Sequence, residues 1–476
     1  MFEGPPAPPT ESIAVKAVGI LQRPYRSTTA GMAALMALLA FESLAVTTAM
    51  PVIAEDLNGL ALYSMAFAGT LAASVVGMVV AGQASDRGGL ARPLWAGLAL
   101  FIAGLVIAGT AVWMPVLVLG RLVQGLGSGA LSVILYVMVA RVYPLALRPK
   151  IFAAFAAAWV VPALIGPFIA GLVVEHLHWR WVFFGAIMLA LPAAFMIRGA
   201  ANRSQIDIAE VKARTPADHV KVLLAIAASA SVVLLHFGGQ QTGVVAIIAL
   251  AVGIAGLVMV VPRLLPHGTV TASPGIPAAI ALRAVAGAGF TVAEVFLPLL
   301  LIRERGLTPG MAGLVLTAAA LTWSTGSWLR GRSSTGHQRY LAWGSAAIAV
   351  AIIAAALPLW PHIPIFVAVI GWAVGGLGMG LVYPTLSLLT LELSPVSQQG
   401  ANSSALQLAE ALSTATFLAV TGFAFALLIT ATPVAAYLAC FGLAVLLALV
   451  SMWIARRVLA APSPVTVGAA TATEPG

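Results

Sequence analysis

Apolar residues fall into fourteen long runs, at 28–52, 60–82, 93–112, 114–140, 151–173, 180–197, 219–237, 242–262, 276–302, 309–329, 340–359, 363–390, 400–425 and 431–455. A helix of roughly 20 residues crosses the hydrocarbon of a bilayer, and each run is of that order. The runs are apolar all round rather than alternating with period two, which excludes the strands of a β-barrel. The pattern predicts an all-α polytopic membrane protein with 14 transmembrane helices. The longest charged loop, 198–218, follows the sixth run.

Composition agrees with that reading. The 476 residues are 61% hydrophobic and 8% charged, with a mean hydropathy of +1.04. A water-soluble fold could not hide so much apolar surface. The net charge of +9 resembles a nucleic-acid signal, but the basic residues sit in short loops between the runs rather than on one surface, so no nucleic-acid partner is expected. An even number of spans puts both termini on one side. Arg180, Arg303 and Arg305 fall on the opposite side, Arg121 and Arg283 fall inside spans, and the remaining nineteen of the 24 Lys and Arg share the side of the termini. That bias places both termini in the cytoplasm of a multi-pass cell-membrane protein. The single cysteine, Cys440, excludes an internal disulfide and a cysteine metal cluster. No metal or cofactor is expected.

The decapeptides GRLVQGLGSG (120–129) and GWAVGGLGMG (371–380) share Gly120 with Gly371, Gly125 with Gly376, Gly127 with Gly378 and Gly129 with Gly380, at a constant spacing of 251 residues. Such self-similarity within apolar runs marks a duplicated bundle, an architecture typical of transporters. Spans one to six and nine to fourteen are expected to form two pseudo-symmetric six-helix bundles plus two linking helices. The boundaries are a cytoplasmic tail at 1–27, a first bundle at 28–200, a loop with two additional helices at 201–272, a second bundle at 273–457 and a disordered tail at 458–476.

Five segments of the first bundle carry motifs in a fixed order. GQASDRGGLAR (82–92) resembles the G-x-x-x-D-R-x-G-R-R/K-R/K loop of the major facilitator superfamily; Gly82, Asp86, Arg87, Gly89 and Arg92 match, while Leu90 and Ala91 replace two basic residues. Such a loop can latch two bundles, with Gly82 admitting a neighbouring helix and Arg87 and Arg92 able to bind carboxylates or lipid phosphates. It also reads as an ordinary positive-inside loop. Arg121, Gln124 and Gly125 resemble the R-x-x-Q-G motif of span four. In WVVPALIGPFIAG (159–171), Gly166, Pro167 and Gly171 resemble the span-five antiporter motif, and Pro162 adds a second break in the backbone ladder. FESLAVTTAMPVIAEDL (41–57) and HWRWVFF (178–184) are similar to the first and sixth spans of the fourteen-span drug:proton antiporter branch, with Glu42 where that branch has Asp. The resemblance implies a transporter in which the span-five interface resists leak and favours antiport. The second bundle offers only GSWLRGR (326–332) at the corresponding loop, without the Asp.

Charges inside spans are costly and usually functional. They are Glu42, Arg121, Arg283, Glu294 and Glu410. Glu42 and Arg121 sit about 15 and 11 Å from the outer ends of spans one and four, helices that the resemblance assigns to the cavity wall, so the two are expected to meet or share water. A static ion pair bracing the bundle is the alternative. Glu294 sits about 12 Å deep on span nine as a second proton site or a magnet for cationic substrate, and Glu410 lies at a depth that Arg283 could reach. Tyr136, Trp159, Phe290, Trp372 and Tyr383 are the candidate cavity aromatics, with Trp372 at the repeat position of Arg121.

No G-x-x-x-x-G-K-S/T loop and no soluble domain are present to use ATP, and the seven His residues are scattered, so an enzyme is not expected. The expectation is a proton-coupled secondary exporter of lipophilic or amphipathic small molecules, working as a monomer by alternating access. Export of an endogenous lipid or metabolite is one alternative. A non-transporting sensor or a membrane-embedded enzyme is another.

Overall fold

The computed structural model describes residues 19–23, 25–144, 147–203, 216–239, 241, 243–332, 336–395, 398–429 and 432–459. Most of the two tails, most of the 198–218 loop and the side chains of Asp86 and Arg87 lie outside the described residues.

Fourteen long helices follow one another: α1 Arg26–Asp56, α2 Met65–Gly88, α3 Ala91–Gly109, α4 Met114–Val142, α5 Arg148–His176, α6 Arg180–Arg203, α7 Pro216–Gly239, α8 Gly243–Leu264, α9 Ile276–Arg303, α10 Pro309–Gly331, α11 His337–Ala356, α12 Phe366–Leu393, α13 Gln399–Leu428 and α14 Pro433–Ala455. Each overlaps one of the fourteen apolar runs, and no strand occurs among the described residues. Thirteen are long and apolar enough to cross a membrane. The exception is α10, whose TWSTGSW stretch (322–328) lowers its hydropathy. The start of α1 and the end of α14 share one side of the bundle, here called the terminal face; the loops at 57–64, 177–179 and 304–308 lie on the opposite face.

The paired decapeptides show why this sequence packs as it does. In lipid, helices associate through close packing rather than through a hydrophobic drive, so small residues decide where backbones meet. A methyl group on Gly120 or Gly127 would collide with the α3 backbone, and one on Gly125 or Gly129 with the Thr70 or Ser74 carbonyl of α2. The second copy repeats this. Gly371 and Gly378 face α11, while Gly376 and Gly380 abut the Ala319 and Trp323 carbonyls of α10. Thus α4 is the hub of one half and α12 the hub of the other.

The remaining contacts obey the same duplication. α1 packs on α5 and α6, and α3 on α6; α9 packs on α13 and α14, and α11 on α14. Two seams join the halves, α2 against α13 and α5 against α10. At the second seam, Gly171 meets Gly310 backbone to backbone, and Gly313 abuts the Pro167 carbonyl. The motif expected at an interface between bundles lies on one. α7 packs on α2 and α13 and so covers the first seam, with Ser229 Oγ donating to the Ala72 carbonyl at 2.5 Å. α8 packs on α7, and its long apolar side chains are largely exposed, as on a lipid-facing helix.

Candidate functional site

Three side chains and one carbonyl close a buried polar knot in the first half. Arg121 on α4 donates through Nη1 to Glu42 Oε1 on α1 and to Gln124 Oε1 at 2.8 Å, and through Nε to the Ala66 carbonyl of α2 at 3.2 Å. All three side chains are buried. Arg121 and Gln124 lie three residues apart, on one helix face. The guanidinium thereby ties α1, α2 and α4 together, and the expected meeting of Glu42 with Arg121 is what the structure places there. Gln124 Nε2 is buried without a hydrogen-bond partner among the described residues.

The second half holds a different cluster. Arg283 Nε on α9 donates to Glu410 Oε2 on α13 at 2.7 Å, and Tyr383 on α12 donates its hydroxyl to Glu410 Oε1 at 2.5 Å. The Arg283 guanidinium also lies 3.6 Å from the Tyr383 ring centroid. Gly287 makes this possible, because a methyl there would press on the Tyr383 hydroxyl and on Glu410. The Arg283 and Glu410 side chains keep 16% and 26% of their surface, unlike the sealed pair of the first half. Glu294, eleven residues beyond Arg283, is half-buried and forms no hydrogen bond or ion pair among the described residues. One half therefore buries a neutralised charge pair, and the other leaves carboxylates reachable.

The aromatic expectations divide. Tyr136 and Trp159 are exposed, Tyr136 standing edge-on to Phe155, and Tyr383 is half-buried in its cluster. Phe290 and Trp372 do not line open space: they are 2% and 0% exposed and stack on each other with centroids 4.5 Å apart. Gly375 leaves room for the Phe290 ring, so the indole at the repeat position of Arg121 became core. Trp323 on α10, not singled out in the sequence, joins this cluster, standing edge-on to both Phe290 and Tyr383. No sequence motif marks it; in the structure its carbonyl abuts a repeat glycine, Gly380.

At the terminal face, Gly89 adopts φ 82° and ψ −179°, a region essentially reserved for glycine, and turns the chain from α2 into α3. Arg92 is exposed. Gly82 does not admit a close helix: a methyl there would sit 3.8 Å from Val133, an ordinary contact. Gly77 is the tight position instead, against the Leu126 backbone. In the second half the corresponding loop is served by buried Arg330, which donates to Thr385 Oγ1 at 2.8 Å and contacts His337 Nδ1 at 2.8 Å. At the opposite face the halves are fastened together. The Gly310 amide donates to Glu175 Oε1 at 2.6 Å, and the Tyr63 hydroxyl donates to the Val295 carbonyl at 2.7 Å. Sequence reasoning missed both, since neither lies in a motif.

Known proteins share this architecture. A family model described as Major Facilitator Superfamily matches residues 31–417. An MFS-type transporter of Mycobacterium tuberculosis (strain ATCC 25618 / H37Rv) is 30% identical over 257 residues, 53% of this chain and 37% of that protein. The multidrug efflux pump SdrM of Staphylococcus aureus (strain N315) is 29% identical over 163 residues, 34% of this chain and 36% of the pump. The matched stretches thus span little more than a third of either relative. Among solved structures, a POT family transporter in complex with 5-aminolevulinic acid superposes with a TM-score of 0.65 at 14% identity, covering 93% of this chain and 98% of that one. At such identity the likeness concerns the fold. From the family match over most of its length and the two fastened six-helix halves, the chain belongs to the major facilitator superfamily, a family of membrane transporters rather than enzymes.

Proposed function

We propose that the protein is a proton-coupled exporter of lipophilic or amphipathic small molecules, exchanging one substrate for protons by rocking 28–200 against 273–457. The observation that carries this reading is the Glu42–Arg121 pair. A buried carboxylate held by a guanidinium is stable only while both partners stay, and breaking such a pair costs about 3–5 kcal/mol. Protonation of Glu42 removes the charge from one partner, so proton binding and helix rearrangement are linked through the same contact. The half-open Arg283–Glu410–Tyr383 cluster and Glu294 supply carboxylates to a substrate-facing wall. Similarity to SdrM, a multidrug efflux pump, supports the substrate class.

The direction of basic charge supports a cell membrane with cytoplasmic termini, and the conformation closed at the opposite face then faces the cytoplasm. A single chain contains both halves and suffices for the cycle.

Reconstituted protein in proteoliposomes tests this with ethidium as the transported probe. Ethidium flux is expected to follow an imposed pH gradient, to vanish when the gradient is collapsed, and to be lost in Glu42→Gln. Full gradient-driven flux in Glu42→Gln would remove Glu42 from the coupling step. No gradient-dependent flux of any amphipathic probe would remove the exporter reading.

A further inference from the structure

We propose that the groove between α2 and α3 at the terminal face docks an anionic phospholipid, with an acyl chain lying along the groove and the headgroup phosphate held by Arg92. The groove encloses about 640 Å³. α2 and α3 both pack on α4, which leaves a furrow between them floored by Ala130. Ala81 and Ala84 of α2 form one wall, and Ala96 and Leu100 of α3 the other. Arg92 stands at the terminal-face end of the same lining.

The duplication provides an internal comparison. Gly77 and Gly97, which abut α4, correspond by their contacts to Gly326 and Gly344, which abut α12. In that register Ala81, Pro93, Ala96 and Ala130 become Arg330, Tyr340, Trp343 and Leu381. In the second half, buried Arg330 takes the place of Ala81 and sits 5.2 Å from the Tyr340 ring centroid, while Trp343 is exposed. The first half has only small residues there and leaves the space to an outside occupant.

Four observations identify the occupant. The groove opens on a lipid-facing surface, where Val80, Leu100 and Trp95 are exposed. It runs from Arg92 to Leu100, roughly 12 Å at the helical rise, close to the depth of one leaflet of hydrocarbon, about 15 Å. Among the described residues its one charged group is Arg92, which makes no hydrogen bond or ion pair there, so a cation with donors to spare sits where a phosphate would be. Trp95, one turn away, is of the type that settles at headgroup level.

The test is lipid binding by the purified full chain, followed by native mass spectrometry with phosphatidylglycerol and phosphatidylcholine of identical acyl chains. The wild-type chain is expected to prefer phosphatidylglycerol by roughly fivefold, the contribution of one cation near a headgroup. Arg92→Gln should erase that preference, Arg339→Gln at the corresponding position of the second half should keep it, and Ala96→Phe should weaken both lipids. Preference retained in Arg92→Gln, or lost equally in Arg339→Gln, would overturn the assignment. Should Ala96→Phe fail to fold, glycerophosphoglycerol, the headgroup without tails, replaces it: binding as tight as the full lipid would mark an anion site and overturn the groove. Displacement of bound phosphatidylglycerol by ethidium in the wild-type chain would make the groove a substrate site and also overturn it.

Discussion

Glu175, near the end of α5, accepts a hydrogen bond from the Gly310 amide at the start of α10, across the seam between the two halves. Thr308 caps the same helix from within, accepting from the Met311 amide. A helix N-terminus carries orphan amides and a partial positive charge, so a carboxylate from the other half is drawn to it.

This contact favours the conformation closed at the opposite face. Glu175→Gln retains an acceptor and removes the charge. The expected effect is a shift of about 0.5 kcal/mol, or about twofold in population, toward the open conformation. Hydrogen exchange of the first turn of α10 reads it. Unchanged exchange would show that the charge contributes nothing to closure.

Arg121→Ala leaves Glu42 buried and unpaired. Its midpoint of thermal unfolding in detergent should fall by an amount equivalent to about 3–5 kcal/mol. Glu42→Gln/Arg121→Gln, in which no charge is left alone, should recover most of the loss. A double variant as unstable as Arg121→Ala would mean that helix packing rather than the lone charge sets the cost.

The glycines separate by contact. Gly129→Val drives a branched side chain into the Ser74 carbonyl and is expected to cost more than about 3 kcal/mol, enough to abolish folded material. Gly82→Ala, whose added methyl meets only an ordinary contact with Val133, should stay within about 1 kcal/mol of the wild type. Expression yield and unfolding midpoint distinguish the two.

Tyr383→Phe removes a donor to Glu410 while keeping the ring beneath Arg283. A hydrogen bond to a charged group contributes about 1.5–3 kcal/mol. The expected result is a destabilisation in that range, together with altered ethidium affinity. A variant with wild-type affinity and stability would place Tyr383 outside the site.

The fourteen helices were legible because each had to be apolar over its whole length, and the duplication because glycines meeting a backbone tolerate no substitute. Glu42 and Arg121 could be matched by depth alone. The rest depended on offsets that loops alter. The 251-residue spacing relates α4 to α12, but contacts relate Gly77 to Gly326 and Gly97 to Gly344, at 249 and 247. Equivalent positions on α10 and α11 therefore could not be read from the decapeptides, and Trp323 went unnoticed. Phe290 and Trp372 were placed on a cavity wall because the sequence does not reveal that Gly375 opens room for them to stack inside a half. Glu175 and Gly310 meet only through the relative placement of two halves, which no local pattern encodes.

α7 straddles the α2–α13 seam, and nothing equivalent spans α5 and α10 among the described residues. Of the two seams, the one carrying the Gly171–Gly310 contact is thus left without a covering helix among the described residues. The pair α7–α8 makes an otherwise twofold arrangement one-sided.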